Sequence, residues 1–452
     1  MQQQQRSREI QAMHSNEESV ETKLQRIAKK ARRDPAVRFT SLFHLMNKEM
    51  LRGCFKALKG NRASGIDRIT KEQYAEKLME NLDDLIGRLH RMAYIPQPVL
   101  RVYIPKAGSK KMRPLGIPAL EDKLVQSALS KILQAIYEQD FIDDSYGFRP
   151  KRSCHDALRT LNQTIERKGT NYIVEADIKG FFDNVDQDQL MEFLAHRIAD
   201  KRVLRYIKRF LKSGIQEDGG FRASEKGRPQ GGVISPLLAN LYLHYTLDLW
   251  FQRKYLKSCT GTARLIRYAD DFVVCFKQEA DAKRFRIEME QRLKQFGLEI
   301  APEKTKTLEF GPQAQRKAKE RGKRKAETFD FLGFTHYCAT SRTGKMFQVG
   351  RKSISKRITA KLKLFKQWIQ ENRTLATAEI MKIVAGKLRG HYAYYGVTGN
   401  SRSIQNFANE VKMLLYKWLG RRGKWGSLNY DKFNLLLLRF PLPTPRIMVN
   451  LC

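Results

Sequence analysis

Short segments of this chain alternate apolar and other side chains with the two-residue period of a β-strand. In residues 100–106, every second side chain from residue 100 to residue 104 is apolar, which predicts a half-buried strand. A run containing glycine and serine, residues 107–110, separates this segment from a second strand-like segment at 111–114. Such punctuation is typical of a turn. The pattern therefore predicts a β-hairpin with basic residues near its tip.

A second hairpin pattern places two acidic residues side by side. Two β-capable runs, residues 264–267 and 272–276, flank Asp270 and Asp271, so both acids are expected at the hairpin tip. Adjacent carboxylates repel each other and lose hydration in an apolar setting, and a divalent cation compensates both effects most simply. Mg²⁺ prefers oxygen ligands and often bridges carboxylates to phosphates. For an isolated acidic pair, a solvated turn is the competing interpretation.

A third acid follows an apolar strand pattern upstream. Residues 172–183 read as a strand that runs into a turn, and Asp177 lies where the strand is expected to end. Three carboxylates from two strand ends can hold two Mg²⁺ ions, an arrangement that activates a hydroxyl group and stabilises in-line phosphoryl transfer. The three acids together therefore predict a metal-dependent nucleotidyl-transfer site.

Beyond residue 350 the apolar period becomes that of an amphipathic helix. The positions on its apolar face are Ile354, Ile358, Leu362, Phe365 and Ile369. Lys356, Lys361 and Lys363 lie on the same segment, which suits a helix that packs inward and contacts nucleic acid outward. A core helix with a solvated face explains the period equally well but not the excess of one charge sign.

Charge and cysteine usage narrow the class of protein. The chain has 452 residues and a formal net charge of +38, and residues 311–452 hold 29 basic and 7 acidic residues. This excess favours a polyanionic partner such as nucleic acid, and residues 311–326 are expected to form a flexible basic loop. Six scattered cysteines include no Cys-x-x-Cys pair, so a reducing compartment is expected. The polar N-terminus is no secretory signal and no apolar run approaches ~20 residues, so a soluble intracellular protein without a membrane span is expected.

The acidic motifs, in this order, resemble the palm of reverse transcriptases. The resemblance implies two Mg²⁺ ions, replaceable by Mn²⁺, with Asp271 more peripheral than the other two acids. The implied metal ligands are Asp177, Ile178, Asp270 and Asp271. By the same resemblance, Phe182 is the steric gate that favours dNTPs. Lys304 matches the lysine that protonates the leaving pyrophosphate, although Lys306 is close enough in sequence to be the matching residue instead. An ordinary core aromatic is the alternative for Phe182.

Further segments resemble other motifs of the same family. In the hairpin at residues 100–114, Lys106 and Arg113 match residues that grip the incoming triphosphate, although Lys110 or Lys111 could share that role. Residues 227–240 resemble the segment that lies against the template and the nascent base pair. It implies dNTP binding by Gln230 and nucleic-acid contacts by Pro229, Gly231 and Asn240. Arg149, within the motif at 146–150, either contacts nucleic acid or braces the fingers.

The resemblance extends from about residue 61 to residue 446. Residues 60–67 resemble the N-terminal extension of reverse transcriptases from group II introns and non-LTR elements, and residues 389–396 resemble a maturase domain. The implied fold is an α+β right hand with a helical thumb. Its divisions are an N-terminal arm and extension (1–90), fingers and palm (91–340), a thumb or maturase domain (341–420) and a basic tail able to contact DNA (421–452).

These features imply a group II intron-encoded reverse transcriptase and maturase of the type that lacks an endonuclease. Such a protein binds its intron RNA, assists splicing and copies the intron from a target DNA primer with dNTPs. It acts as a ribonucleoprotein, with the protein a monomer or a dimer. The alternatives are a host-domesticated reverse transcriptase for repair or phage defence, and a maturase that acts only in splicing. An RNA-dependent RNA polymerase is disfavoured by Phe182.

Overall fold

The computed structural model describes residues 18–105, 112–167, 169–217, 220–222, 231–341, 343–344, 346–422 and 428–451. The described chain begins with the helices α1 (Val20–Arg33), α2 (Lys48–Ala57), α3 (Lys71–Glu76) and α4 (Leu78–His90). A mixed region follows with β1 (Val99–Pro105), β2 (Met112–Ile117), α5 (Leu120–Tyr137), α6 (Cys154–Arg167), β3 (Tyr172–Lys179), α7 (Phe181–Asn184), α8 (Gln187–Ala195), α9 (Lys201–Leu211), β4 (Ile215–Glu217), β5 (Gly220–Arg222) and α10 (Ser235–Leu243).

The mixed region continues with β6 (Ala263–Tyr268), β7 (Asp271–Phe276), α11 (Glu279–Lys294), β8 (Glu299–Ile300), β9 (Lys306–Glu309), α12 (Ala314–Glu320), β10 (Phe329–Phe331), β11 (Phe334–Thr340) and β12 (Phe347–Ser353). The last described part is helical, with α13 (Ser355–Glu371), α14 (Thr377–Tyr395), α15 (Ser401–Leu419) and α16 (Tyr430–Arg439). Within the described ranges, none of the helices combines the length and the apolar character needed to cross a lipid bilayer.

The central sheet has the strand order β6-β7-β3, with β8 and β9 both paired to the far edge of β3. Because side chains alternate across a strand, β3 buries Val174 in a core with α10 and α11, while Ile173 enters a second core with α6 and the β10–β12 sheet. In β7, Val274 lies in the first of these cores and Val273 in the second. Both faces of the sheet are therefore covered, which fixes the register of its strands.

The first predicted hairpin is confirmed where the structure describes it. Strands β1 and β2 pair antiparallel from Leu100 opposite Ile117 to Pro105 opposite Met112. Strand β4 joins the other side of β1 in parallel and pairs with β5. The tip of the hairpin, residues 106–111, lies outside the described residues, and with it Lys106, Lys110 and Lys111.

The segment at residues 60–67 holds the N-terminus of α5. Asp67 accepts a hydrogen bond from the backbone N–H of Leu120 at 2.9 Å, which satisfies one of the free donors at the start of that helix. A Cβ on Gly65 would lie 2.5 Å from the backbone of Pro118 and Ala119, so only glycine fits this approach. Residues 60–67 therefore help to fix the start of α5.

The helical region confirms the predicted apolar period. Phe365 and Ile369 of α13 are buried in a core shared with α14 and α15. His391 of α14 is buried there as well, its ring stacked 3.8 Å from that of Phe407. The end of the chain returns to the central region, where Leu451 is fully buried.

One expectation about the basic segments is wrong. Residues 311–326 were expected to form a flexible basic loop, but they contain α12, which packs Ala314 and Ala318 inward. Arg321 donates two 3.0 Å hydrogen bonds to Glu309 of β9. Ion pairing with the neighbouring strand therefore gives this segment a defined structure.

The buried carboxyl group of Asp122, in the first turn of α5, is expected to make the stability of the fold depend on pH. Its carboxylate is buried and accepts hydrogen bonds from the Tyr94 hydroxyl at 2.5 Å and from the Gln97 N–H at 3.1 Å. Burial outweighs these bonds and raises the pKa of Asp122 to about 7. In the unfolded chain the pKa is about 3.9. Between these values the folded protein keeps a proton that the unfolded chain has lost, so stability falls as pH rises.

Asp122→Asn removes this ionisation. We expect the free energy of unfolding of the variant, relative to the native chain, to rise by at least about 1 kcal/mol between pH 5 and pH 8, since one pKa unit corresponds to about 1.4 kcal/mol. Urea unfolding at each pH measures the difference. A difference that stays constant across this range would contradict the assignment, whatever fixed offset the lost hydrogen bond causes.

Candidate active site

The acidic hairpin is formed by β6 and β7, joined by a two-residue turn. Tyr268 pairs with Asp271, so Ala269 and Asp270 make the turn and Asp271 is the first residue of β7. Ala269 has φ +59°, in the left-handed region that tight hairpin turns require. The predicted hairpin is confirmed, with Asp270 at its tip and Asp271 one step inside the strand.

The third acid lies directly across the sheet from this turn. In the register of β3 and β7, Asp177 stands opposite Asp271. The Lys304 ammonium makes a close ion pair with Asp177 Oδ2, from the 3₁₀ turn Pro302–Lys304 that follows β8. The Ile178 side chain is buried in the core, so only its main chain could serve a metal.

The local electrostatics fit a divalent cation. Burial first, and then the charges of Asp270 and Asp177, raise the pKa of Asp271 to about 7. Mutually repelling carboxylate oxygens are the donor set that Mg²⁺ and Mn²⁺ take. Among the described residues, no three acidic, histidine or cysteine side chains converge closely enough to form a ready cation cage. The Lys304 ammonium contacts one of the two carboxylate oxygens of Asp177, and the carboxylates of the three acids are the ligands that a divalent ion would take.

A buried arginine forms a hydrogen bond to the backbone of the acidic turn. Arg267 is fully buried, and its guanidinium donates to the Ala269 carbonyl at 2.9 Å. It also donates to both carboxylate oxygens of Asp248, at 2.8 and 2.5 Å. Sequence reasoning missed both residues. The sequence did contain a signal for Arg267, which is a charged residue at an inward-facing position of a strand. A charge that is buried there needs a charged partner.

Asn240 was expected to contact nucleic acid, and the structure contradicts this. Its side chain is fully buried; its oxygen accepts from Arg267 at 3.0 Å and its amide donates to the Gly147 carbonyl at 2.6 Å. These contacts occupy the polar groups of the side chain inside the protein. Asn240 therefore links the arginine to the segment beside the turn.

Two roles were predicted for Arg149, a contact with nucleic acid and a brace within the protein. The contacts of its side chain are those of a brace. The side chain is 2% exposed and pairs with Glu138 at 3.0 Å. It also donates to the carbonyls of Ile142 and Ser145, at 2.6 and 2.7 Å. This set of bonds fixes the loop that precedes Tyr146.

The segment that contains Gly147 lies in close contact with the acidic turn. A Cβ on Gly147 would lie 2.4 Å from the backbone nitrogen of Ala269, so only glycine allows this contact. The next residue, Phe148, has φ +57° and is 57% exposed, with its ring 6.5 Å from that of Tyr268. Strained backbone of this kind concentrates at functional sites. Sequence reasoning did not single out Phe148.

The remaining predicted substrate residues lie around this centre or outside the described chain. Phe182 is half-buried in α7, edge-on to Phe181 at 5.3 Å, and Arg113 is exposed on β2. Pro229 and Gln230 lie outside the described residues. Gly231 has φ +111°, and a Cβ there would lie 2.1 Å from the Gly116 carbonyl. It therefore packs backbone to backbone against β2.

The three predicted lysines of α13 differ. Lys356 and Lys363 are exposed. Lys361 instead turns inward, with its Nζ 3.0 Å from His391 Nδ1 and over the rings of Tyr395 and Phe407. Burial lowers the pKa of Lys361 and lowers that of His391 to about 3. Lys361 is thus half-buried where α13 meets α14 and α15, and its contact with nucleic acid stays a prediction.

A family model described as reverse transcriptase (RNA-dependent DNA polymerase) matches residues 104–336. This range covers half of the chain and includes all three acids, both strands of the acidic hairpin and Lys304. The chain belongs to the reverse transcriptase family.

The relatives of known sequence include intron-encoded proteins. The chain is 43% identical over 225 residues to the group II intron-encoded protein LtrA of Lactococcus lactis subsp. cremoris, covering 49% of this chain and 37% of that protein. It is 36% identical over 284 residues to protein YkfC of Escherichia coli K12, covering 56% and 74%. Nuclear intron maturase 1 of Arabidopsis thaliana is 33% identical over 95 residues, covering 21% and 13%.

These matches confirm the predicted similarity to group II intron reverse transcriptases and maturases. The mixed helical and strand content fits the fingers and palm of that family. The match to the Lactococcus protein spans little more than a third of that protein's length.

The contact between Gly147 and the turn can be tested directly. Gly147→Ala is expected to displace Ala269 and Asp270, because the added Cβ meets the Ala269 backbone. We expect the affinity for Mn²⁺, followed by electron paramagnetic resonance, to fall about 10- to 100-fold, as for other changes that disturb the support of a metal site. Gly53→Ala, in α2, is the matched control, since its Cβ would meet nothing within 4 Å. Equal Mn²⁺ affinity in both variants would contradict the role of this contact.

Proposed function

We propose that the protein is an RNA-directed DNA polymerase that extends a DNA primer along an RNA template. The observation that carries this proposal is the register that sets Asp177 opposite Asp271, beside Asp270 in the turn. Membership of the reverse transcriptase family supports it. Asp177, Asp270 and Asp271, with the main chain of Ile178, would hold the two divalent ions. When bound, such ions lower the pKa of a primer hydroxyl and neutralise the triphosphate.

The other residues have roles that follow from their positions. Lys304 Nζ lies beside Asp177; a triphosphate held by ions on Asp177 would therefore come near this ammonium, which would donate a proton to the leaving pyrophosphate. Arg113, exposed on β2, binds the triphosphate together with Lys106. Phe182 stands at the first turn after β3, where a ring excludes a ribose 2′-hydroxyl. Gln230 contacts the incoming dNTP.

In this proposal, nucleic acid contacts the segment around residues 229–231 and exposed basic side chains of α13. Pro229 and Gly231 lie on the segment that approaches the template, and Lys356 and Lys363 present exposed ammonium groups from α13. Charge neutralisation of phosphates releases counterions and supplies sequence-independent affinity. The helices α13–α15 then serve as the thumb, residues 341–420, after fingers and palm at 91–340 and an N-terminal arm and extension at 1–90.

The biological role we propose is that of a group II intron maturase and reverse transcriptase. It binds its intron RNA, assists splicing and copies the intron from a target DNA primer, as a ribonucleoprotein. The similarity to proteins described as group II intron-encoded or as an intron maturase supports this role. Residues 421–452 contribute a basic segment that contacts DNA, anchored by the buried Leu451.

Polymerase activity is tested by dNTP-dependent extension of a DNA primer on an RNA template with Mg²⁺. We expect extension by the native protein, none after removal of the ion with EDTA, and none with Asp270→Ala, because the metal site loses its central oxygen donor. Asp188→Ala is the control, since that carboxylate is 87% exposed on α8. Folded native protein that binds RNA but does not extend the primer would favour a maturase that acts only in splicing.

Sugar selection is tested separately. Phe182→Ala is expected to raise ribonucleotide incorporation relative to dNTP incorporation, because the aromatic ring no longer excludes the 2′-hydroxyl. The ratio of kcat/KM values for the matching rNTP and dNTP measures the effect. Phe181→Leu, in the buried neighbour, is the control for altered packing. An unchanged ratio in Phe182→Ala would mean that Phe182 is an ordinary core aromatic.

A further inference from the structure

We propose that the buried Arg267–Asp248 pair is a positioning device that sets the acidic turn for metal binding and catalysis. Arg267 acts through the Ala269 carbonyl, and neither member of the pair touches the reacting atoms. The inference rests on the proposed polymerase function, which it deepens by naming what holds the catalytic turn in place.

The guanidinium is suited to this task by its donor geometry. Arginine offers five N–H donors in a rigid plane and does not lose its proton in proteins. Here Nε and Nη2 donate to the two oxygens of Asp248, while Nη1 donates to Asn240 Oδ1 and to the Ala269 carbonyl. With one edge fixed by Asp248, the remaining N–H groups have a defined direction toward the turn.

The pair also joins the turn to elements that are distant in sequence. Asp248 ends the π-helical turn His244–Asp248 that continues α10, and Asn240 lies on α10 itself. The side-chain amide of Asn240 in turn donates a hydrogen bond to the Gly147 carbonyl. The backbone of Arg267 adds two more bonds, from its N–H to the Asp144 carbonyl and from the Tyr146 N–H to its own carbonyl, each 2.9 Å. The turn is therefore joined both to α10 with its π-helical continuation and to the loop at residues 144–147.

Stability alone gives little reason for this arrangement. Both side chains are fully buried, and a buried ion pair is often no more stabilising than apolar residues of similar size, because desolvation offsets the attraction. His244 Nδ1 lies 3.9 Å from Asp248, but burial lowers the pKa of His244 to about 4, so it adds no competing cation at neutral pH. What an apolar pair could not supply is the hydrogen bond to the Ala269 carbonyl.

The same strand offers a matched control. Arg264, three residues earlier on β6, makes a similar two-pronged pair with Asp144, at 2.8 and 2.7 Å. These side chains are 29% and 18% exposed. Besides Asp144, the Arg264 guanidinium donates only to Thr164, among the described residues, and it makes no bond to the turn. Loss of this pair removes an ion pair from the strand but no side-chain hydrogen bond to Ala269, and the Asp144 backbone carbonyl remains available to the Arg267 N–H.

The test compares two double variants of the full chain, Arg267→Met with Asp248→Leu and Arg264→Met with Asp144→Leu. Each removes both charges, so no unpaired buried charge remains. Folding is followed by circular dichroism, Mn²⁺ affinity by electron paramagnetic resonance, and kcat, KM for dNTP and primer–template affinity by primer extension. Mn²⁺ binding is a readout that does not require polymerase activity.

We expect the Arg267/Asp248 double variant to fold and to bind primer–template as the native protein does. Its kcat should fall about 100-fold, the effect of a misplaced reacting group, and its Mn²⁺ affinity about 10- to 100-fold. The Arg264/Asp144 variant should match the native protein in both measures. Native kcat and native Mn²⁺ affinity in a folded Arg267/Asp248 variant would overturn the proposal, because the pair would then be structural only.

Two further outcomes remain decisive. If the Arg267/Asp248 variant does not fold, Arg267→Lys keeps a positive charge beside Asp248 but lacks the planar fork that reaches both Asp248 and the Ala269 carbonyl; a folded Arg267→Lys protein should lose about tenfold in Mn²⁺ affinity, and native affinity there would overturn the proposal. If the native protein binds Mn²⁺ but does not extend primers, the polymerase function fails, while the Mn²⁺ comparison between the two double variants still decides the positioning role.

Discussion

The register between β3 and β7 is the constraint on which the candidate site depends. It sets Asp177 opposite Asp271, and a slip of one residue would send the side chain of Asp177 to the other face of the sheet. The slip is costly because both faces are buried. Ile173 and Val273 enter one core, and Val174 and Val274 enter the other. Packing on two sides thus fixes the separation of two acids that repel each other.

That packing also concentrates unfavourable features at one point. Burial and neighbouring charges raise the pKa of Asp271, and Ala269 and Phe148 both have a left-handed backbone. Such features persist only where surrounding contacts over-determine them. Here those contacts are the Gly147 backbone against the turn and the Arg267 guanidinium, which makes four hydrogen bonds, one of them to the Ala269 carbonyl. The Lys304 ammonium beside Asp177 supplies local positive charge.

The helical region divides its positive charge between two uses. Lys356 and Lys363 remain exposed on α13, where they can neutralise phosphates. Lys361, on the same helix, lies over the rings of Tyr395 and Phe407 and beside a neutral His391. Cation–π contact and a histidine acceptor compensate its burial. A net charge alone therefore overstates the surface available to nucleic acid.

The sequence by itself determined the local elements and the chemistry of the acids. The two-residue period gave both hairpins, the helical period gave α13, and the order of acidic motifs indicated the family, because backbone periodicity and short motifs are written in neighbouring residues. Only the tertiary structure decided which polar side chains face inward. Asn240 was expected at a nucleic-acid surface and Arg149 either there or as a brace, and both lie buried. Lys361, expected at the same surface, is half-buried against two aromatic rings. The partner of Arg267 is 19 residues away, and burial of a long polar side chain depends on such distant contacts, which no local pattern records.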